Sequence, residues 1–490
     1  MHNRKKSLLL ISLLFFFLSC IIFISLINTM STDSLVLIII FETVILIPFL
    51  LYVLHIHHDP LDICLVAFLY MGLGFLGRYI ILKLFPYLSP LTNEDIITEG
   101  LIVQTLSMLS MLIGYYIYLK ISYNRVIRLD QVKKIKISGL VMVLYTIVLI
   151  SRIYLIVTNN AIAFAFNDYT VPTGFLLYAT NFSLMGPVCW GFLYYYYLTE
   201  KRKKNRKIVF AILLFEIFWG ILIGAKTPLV NILIMWLLAK SISGGINITK
   251  RQLFMIFPII ILTFILINSI RGIYGSEFND SKSSLRDQIS TVKSLNISSD
   301  EITNSLVQMA QRSDVLDSVS RIVSLTPSIY PYQYGKQYLY MPLIPMIPRT
   351  LWSDKPSYDD GLYNAWTYRG MSKNQFVHYA TGITGGFYWN FGLIGTLICM
   401  FFTGVIYSFL YVWFHIKGKL SDYGFILYSL IFLEIINMEG TFYTMYVELM
   451  PKIILVISIV LALKIIKGNN FIFSKKEEVT IKNSKGTVYE

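Results

Sequence analysis

The sequence predicts an all-α polytopic membrane protein of about 12 transmembrane helices, with one large external loop that contains an amphipathic helix. Three observations predict it. Of 490 residues, 56% are hydrophobic and only 14% charged, with a mean hydropathy of +0.63, which is too apolar for a water-soluble globule. Apolar runs of roughly 20 residues, the length that crosses a hydrocarbon core of about 30 Å, recur along the chain. The basic residues are concentrated in short segments between these runs, as expected of segments that face the cytoplasm.

Taken in order, the spans are expected at residues 8–28, 34–54, 62–82, 99–119, 137–157, 174–197, 208–224, 227–240, 253–270, 389–413, 421–438 and 449–466. Arg4, Lys5 and Lys6 precede the first run as they would a secretory signal. That run continues without a small-residue cleavage site and is followed by another, so it reads as a retained helix. The eighth run is short and is entered through Pro228, which suits a half-helix or re-entrant element. With the N-terminus in the cytoplasm, the cytoplasmic segments hold 26 of the 42 basic residues, including the run Lys201–Lys207. External segments 29–33 and 158–173 hold none. Both ends are therefore expected in the cytoplasm and residues 271–388 outside. This gives spans 1 to 9 over residues 1–270, an external domain over 271–388, three spans over 389–466 and a cytoplasmic tail over 467–490.

The formal net charge of +14 does not read as a nucleic-acid surface, because the cations are dispersed as membrane-orienting clusters. Cys20, Cys64, Cys189 and Cys399 lie in apolar runs, with no CxxC pair to suggest redox or zinc chemistry. Walker, dinucleotide-binding, HExxH and DxD signatures are missing, so no cofactor, no metal and no cytoplasmic nucleotide-sugar donor are expected.

The external segment carries its own pattern. Ile302, Leu306, Met309, Leu316, Val319 and Val323 recur at mostly three- and four-residue spacing, predicting an amphipathic helix over 301–325 that lies on the outer membrane face or on the bundle. From Tyr330 to Trp389, 25% of residues are aromatic against 15% for the chain. Tyrosine and tryptophan suit an interfacial belt, and equally suit stacking on the C–H faces of sugars. Prolines 342, 345, 348 and 356 stiffen the backbone around Arg349, Asp354 and Lys355. Within the spans, Arg78, Arg152, Lys226 and Arg271 all fall toward the outer leaflet, where internal glutamates or an anionic ligand such as a lipid diphosphate would offset the cost of burying them. Glu434, Glu439 and Glu448 surround the outer hairpin of the last two spans.

The stretch Ile347-Pro348-Arg349-Thr350-Leu351-Trp352-Ser353-Asp354-Lys355-Pro356, followed by Gly385-Gly386-Phe387-Tyr388-Trp389-Asn390-Phe391-Gly392-Leu393-Ile394-Gly395, resembles the bacterial O-antigen and capsule polymerases, the Wzy-like oligosaccharide repeat-unit polymerases. Arg312, the Tyr334-Gly335 pair and Gly224-Ala225-Lys226 are similar to further family positions, with lysine at 226 where arginine is usual. The resemblance implies an enzyme of the bacterial cytoplasmic membrane that joins undecaprenyl diphosphate-linked oligosaccharides on its outer face. It also implies membrane lipids, a separate flippase and a chain-length regulator as partners. A glycan ligase using the same donor and a lipid-linked oligosaccharide flippase are the alternatives.

The expected chemistry is attack of a sugar hydroxyl on an anomeric carbon with lipid diphosphate leaving, so cations are required where negative charge grows. The candidates for that clamp are Arg349, Arg271, Arg152 and Lys226, with His378 and Glu439 competing as general base. Arg312, Arg78, Lys355, Tyr334, Tyr338, Trp352 and Trp389 are the candidate substrate-binding residues.

Overall fold

The computed structural model describes residues 62–84, 94–123, 139–158, 175–200, 203–223, 227–244, 314–347, 351–352, 355, 359–373, 378–416, 422–436 and 439–467. Among them the chain is all-helical and contains no strand. Seven described helices precede the segment between residues 314 and 381, called the outer domain after the location expected for it: α1 Ile63–Leu84, α2 Glu94–Tyr123, α3 Gly139–Val157, α4 Phe175–Ser183, α5 Gly186–Glu200, α6 Lys203–Leu222 and α7 Thr227–Gly244. The outer domain contributes α8 Val315–Leu325, α9 Lys336–Tyr340 and α10 Asp360–Tyr363, the last continuing as a π-helical turn over Asn364–Tyr368. α11 Gly382–Leu410 with its π turn Tyr411–Ile416, α12 Asp422–Ile436 and α13 Phe442–Lys467 complete the described chain. The spans expected at 8–28, 34–54 and 253–270 lie outside the described residues.

Five helical stretches are long and apolar enough to cross a membrane: Ile96–Ser122, Gly139–Val157, Phe175–Thr199, Gly382–Trp413 and Phe442–Leu463. Their outward faces supply an independent argument. On α11 the exposed large side chains are Ile394, Ile398, Phe402, Ile406, Phe409 and Trp413, a stripe at three- and four-residue spacing; α6 shows Phe210, Leu214 and Phe218 in the same way. Stripes of this length facing water are rare on soluble proteins and are the ordinary surface of a lipid-facing helix.

Three helices start earlier than the sequence predicts, α2 at Glu94 and not 99, α6 at Lys203 and not 208, and α13 at Phe442 and not 449; two further differences have identifiable reasons. The sixth span is not one helix: Leu184 and Met185 form a turn, and α5 restarts at Gly186-Pro187, where proline's missing N–H costs nothing in a first turn. The break brings the Ser183 carbonyl to Arg152, with Nη2 at 3.0 Å and Nε at 3.3 Å. α11 starts at Gly382, before the predicted start at 389, because its first turns are made of Gly, Thr and Ile and lie under the outer domain.

α2 and α11 form the most extensive helix pair, and each presents a glycine at the crossing. A Cβ on Gly404 would lie 1.9 Å from the Met111 carbonyl oxygen, and one on Gly114 would lie 2.0 Å from that of Phe401. The backbones therefore approach as only small residues permit, and Ser110 Oγ donates to the Leu397 carbonyl at 2.7 Å beside them. α5 packs on α6, α7 and α12, while α12 and α13 form the final hairpin.

Candidate functional site

The outer domain is held on the bundle by α8. Leu316, Val319 and Ile322 are buried at helical spacing, and the helix lies across α1, α2 and α11. Its apolar face thus covers the bundle and is not the lipid-facing element of this region. Residues 301–313 of the predicted amphipathic helix, with Arg312, lie outside the described residues. Asp317 shares the buried face and takes the Arg78 guanidinium as a fork, Nη2 to Oδ2 at 2.7 Å and Nε to Oδ1 at 3.3 Å. At the N-terminus of α8, Asp314 pairs with Arg369 at 2.7 Å; Arg369 also donates to Ser318 Oγ at 2.8 Å and lies 3.8 Å over the Tyr379 ring. Burial raises the Asp314 carboxyl to about 6, against the lowering effect of Arg369.

α10 and the irregular stretch 378–381 run together. Asn364 Nδ2 reaches the carbonyls of Tyr379 and Ala380, both at 3.4 Å, and the Tyr379 N–H donates to the Gly361 carbonyl at 3.3 Å. This brings His378 beside Asp359, with Nδ1 3.0 Å from Oδ1 at a part-exposed rim. Asp359 is itself fixed, because the same oxygen accepts the Leu362 N–H at 2.9 Å as the cap of α10. The imidazole also rests on Gly361, whose Cβ, if present, would lie 3.2 Å from Nδ1. Next along the chain, Asp360 turns inward: Thr444 Oγ1 donates to it at 3.0 Å and Thr441 also donates to it. Burial raises this carboxyl to about 6 even though both hydroxyls favour its charged form. The Gly382 N–H donates to the Glu439 carbonyl at 2.8 Å, and the Glu439 side chain accepts Tyr70 Oη of α1 at 3.0 Å. The two candidate general bases therefore stand on elements that are tied directly together.

A second joint unites two stretches singled out in the sequence. Gly392 has φ 65° and ψ −170°, which interrupts α11 and removes the helical donors for the carbonyls before it. The N–H groups of Gln333 and Tyr334 replace them, donating to Trp389 O at 3.0 Å and Asn390 O at 3.1 Å. Asn390 completes the joint by accepting the Gly335 N–H at 3.0 Å and donating to the Gly386 carbonyl at 2.7 Å. Tyr334 is held at φ 49°, uncommon for a residue with a Cβ, and its ring is 73% exposed beside Tyr332.

The aromatic candidates separate clearly. Trp389 is 1% exposed, stacked on Tyr368 and met edge-on by Tyr363, so it is a core residue of the outer domain. Tyr338 stacks on Phe391 and is largely covered. Trp352 is half-buried and meets the exposed Tyr340 edge-on, while Lys355 Nζ donates to the Ile347 carbonyl at 3.0 Å. Among the candidate cations, Arg152 has its own carboxylate: Nη1 and Nη2 reach the two oxygens of Glu216 at 2.7 and 2.6 Å, with the Trp219 ring 4.9 Å away. Arg152 and Arg78 are thus each paired internally. Arg349, Arg271 and Lys226 lie outside the described residues. Glu434 pairs with Lys452 across the α12–α13 hairpin. Among the described residues no three His, Cys, Asp or Glu side chains group as metal ligands.

Asp317, Asp359, Asp360 and Arg369 were not singled out in the sequence, although Asp359-Asp360-Gly361 has the composition of a helix cap or turn. No curated protein and no solved structure matches the chain. Residues 94–415, from the start of α2 into the π turn after α11, match the sequence model described as Domain of unknown function (DUF8712), and the chain belongs to that family.

Proposed function

We propose that this protein is a lipid-linked oligosaccharide-dependent glycosyltransferase that polymerises undecaprenyl diphosphate-linked repeat units into surface polysaccharide. In this reading it crosses the bacterial cytoplasmic membrane 12 times, with both termini inside and the α8–α10 domain outside. The observation that carries the reading is the His378–Asp359 pair at 3.0 Å, at a rim of the outer domain. A carboxylate on Nδ1 favours the tautomer whose lone pair is on Nε2, the arrangement a general base requires. His378 would take the proton of an acceptor sugar hydroxyl as its oxygen bonds to the anomeric carbon, and the bond from that carbon to the diphosphate oxygen breaks. Cations must then face the leaving diphosphate. Arg349, Arg271 and Lys226 are assigned that task, because Arg78 and Arg152 already neutralise Asp317 and Glu216. Tyr334, exposed and conformationally strained, suits a stacking platform for sugar.

The test is purified protein in lipid nanodiscs supplied with lipid-linked repeat units, read by product length. A ladder of increasing length supports polymerisation, and its loss in His378→Gln at unchanged abundance supports the base. A single transfer to another acceptor would identify a ligase instead. Topology is checked separately: a cysteine replacing Lys336 should react with an impermeant maleimide in intact cells, and one replacing Arg206 only after permeabilisation.

A further inference from the structure

Between Lys336 and Arg349 the chain has 12 residues without a charge, rich in Leu, Ile, Met, Tyr and Pro. In water such a segment would fold its large side chains inward. Here Ile344 and Pro345 are buried, but Leu339, Tyr340, Leu343, Met346 and, beyond the prolines, Leu351 point outward, the last 80% exposed. The shape is fixed by local turns: Ile344 N donates to Tyr340 O at 3.1 Å, Ile347 N to Leu343 O at 3.1 Å, and Lys355 Nζ closes the far end on Ile347 O. Pro342 and Pro345 prevent these turns from merging into a longer helix.

The position of this outward face identifies its partner. Tyr338, inside the segment, stacks on Phe391 with ring centroids 6.0 Å apart. Phe391 is the first residue of the exposed apolar surface that continues along α11 through Ile394, itself 75% exposed, Ile398 and Phe402. The segment that carries the patch is therefore seated against the start of the exposed apolar face of α11. Its cationic start Lys336, and its tyrosines and tryptophan, match the residue types that lie at the headgroup boundary.

We infer that residues 337–347, with 351 and 352, form an interfacial wedge whose apolar side, Leu339, Tyr340, Leu343, Met346 and Leu351, sits in the outer leaflet of the lipid bilayer. The wedge keeps the outer domain at headgroup level, and this holds whether or not the glycosyl-transfer reading is correct.

The experiment uses the full chain, with its native cysteines replaced, in phosphatidylcholine–phosphatidylglycerol nanodiscs. Single nitroxide labels are placed at Leu343, Met346 and Leu351, with Ile394 and Ile398 as lipid references and Lys373 as the water reference. Power saturation with oxygen and with a water-soluble nickel chelate reports the surroundings of each label. The inference expects an oxygen-over-nickel accessibility ratio at 343, 346 and 351 close to that at 394 and several-fold above that at 373. Ratios matching 373 would place the wedge in water and overturn it. Exclusion from both reagents, with dipolar broadening between labels, would assign the face to a second copy of the chain and overturn it equally.

Discussion

If Arg152 holds the bundle together, Glu216→Ala should unfold the protein and the double replacement Arg152→Met, Glu216→Leu should rescue it. Both side chains are enclosed, at 2% and 0% exposure, and joined by two contacts of 2.6 and 2.7 Å. Tyr145 adds a third contact to the carboxylate at 3.1 Å, and a Cβ on Gly186 would come within 2.3 Å of both groups. Removing one partner of such a pair costs about 3–5 kcal/mol, because the guanidinium is left charged and without its anion. At about 1.4 kcal/mol per factor of ten, that is a loss of roughly 100- to several-thousand-fold in the folded-to-unfolded ratio. Replacing both partners by apolar side chains is typically neutral to stabilising. The assay is thermal unfolding in nanodiscs together with turnover per folded molecule on lipid-linked repeat units. Stability restored in the double variant with turnover near wild type is the expected result. A double variant that is stable and abundant yet inactive would refute the reasoning and return Arg152 to the substrate.

At the rim, His378→Gln should lower turnover by on the order of 100- to 10,000-fold, the usual contribution of a positioned base, while Asp359→Asn should cost less; both are checked against protein abundance. Gly361→Ala places a methyl group 3.2 Å from Nδ1 of His378 and should lower turnover about tenfold by displacing the imidazole, with the thermal midpoint unchanged. Asp360, raised to about 6 in the fold, binds its extra proton in the folded state, so its contribution to stability is full below about pH 4 and is lost as pH rises through about 6. Asp360→Asn should therefore flatten the pH dependence of the thermal midpoint between pH 4 and 7, removing a stability difference on the order of 3 kcal/mol across that range. Gly404→Leu forces a side chain into the Met111 backbone and should abolish a monodisperse folded species on gel filtration, which a conservative change on the lipid face, such as Ile398→Leu, leaves intact.

Several helices were legible because each is read from its own residues. Apolar content over about 20 positions is a local property, and the helices observed at Ile63–Leu84, Gly139–Val157 and Thr227–Gly244 begin within two residues of the expected starts at 62, 137 and 227. The partners of the buried cations were not legible for the opposite reason. Asp317 meets Arg78 across 239 residues of chain, and nothing local distinguishes it from a solvated carboxylate on a helix. Asp359 is only 19 residues from His378, yet the intervening stretch has no period from which its return path can be inferred.

The aromatic-rich stretch shows where composition stops being informative. Two opposite environments call for the same residue types. Tyr363, Tyr368 and Trp389 pack into one another as a core, where large rings supply most of the buried area available to a small domain. Tyr334 and Tyr340 face outward, where a ring with a polar edge suits sugar or headgroups. In a regular helix or strand the spacing of residues would have sorted them onto an inner and an outer face. Here the backbone is built from successive turns, prolines and a left-handed pair at Tyr334-Gly335, so neighbours in sequence have no fixed relation of direction. The carbonyls exposed by the break at Gly392 decide the matter, because they capture Gln333 and Tyr334 and thereby orient both sets of rings at once.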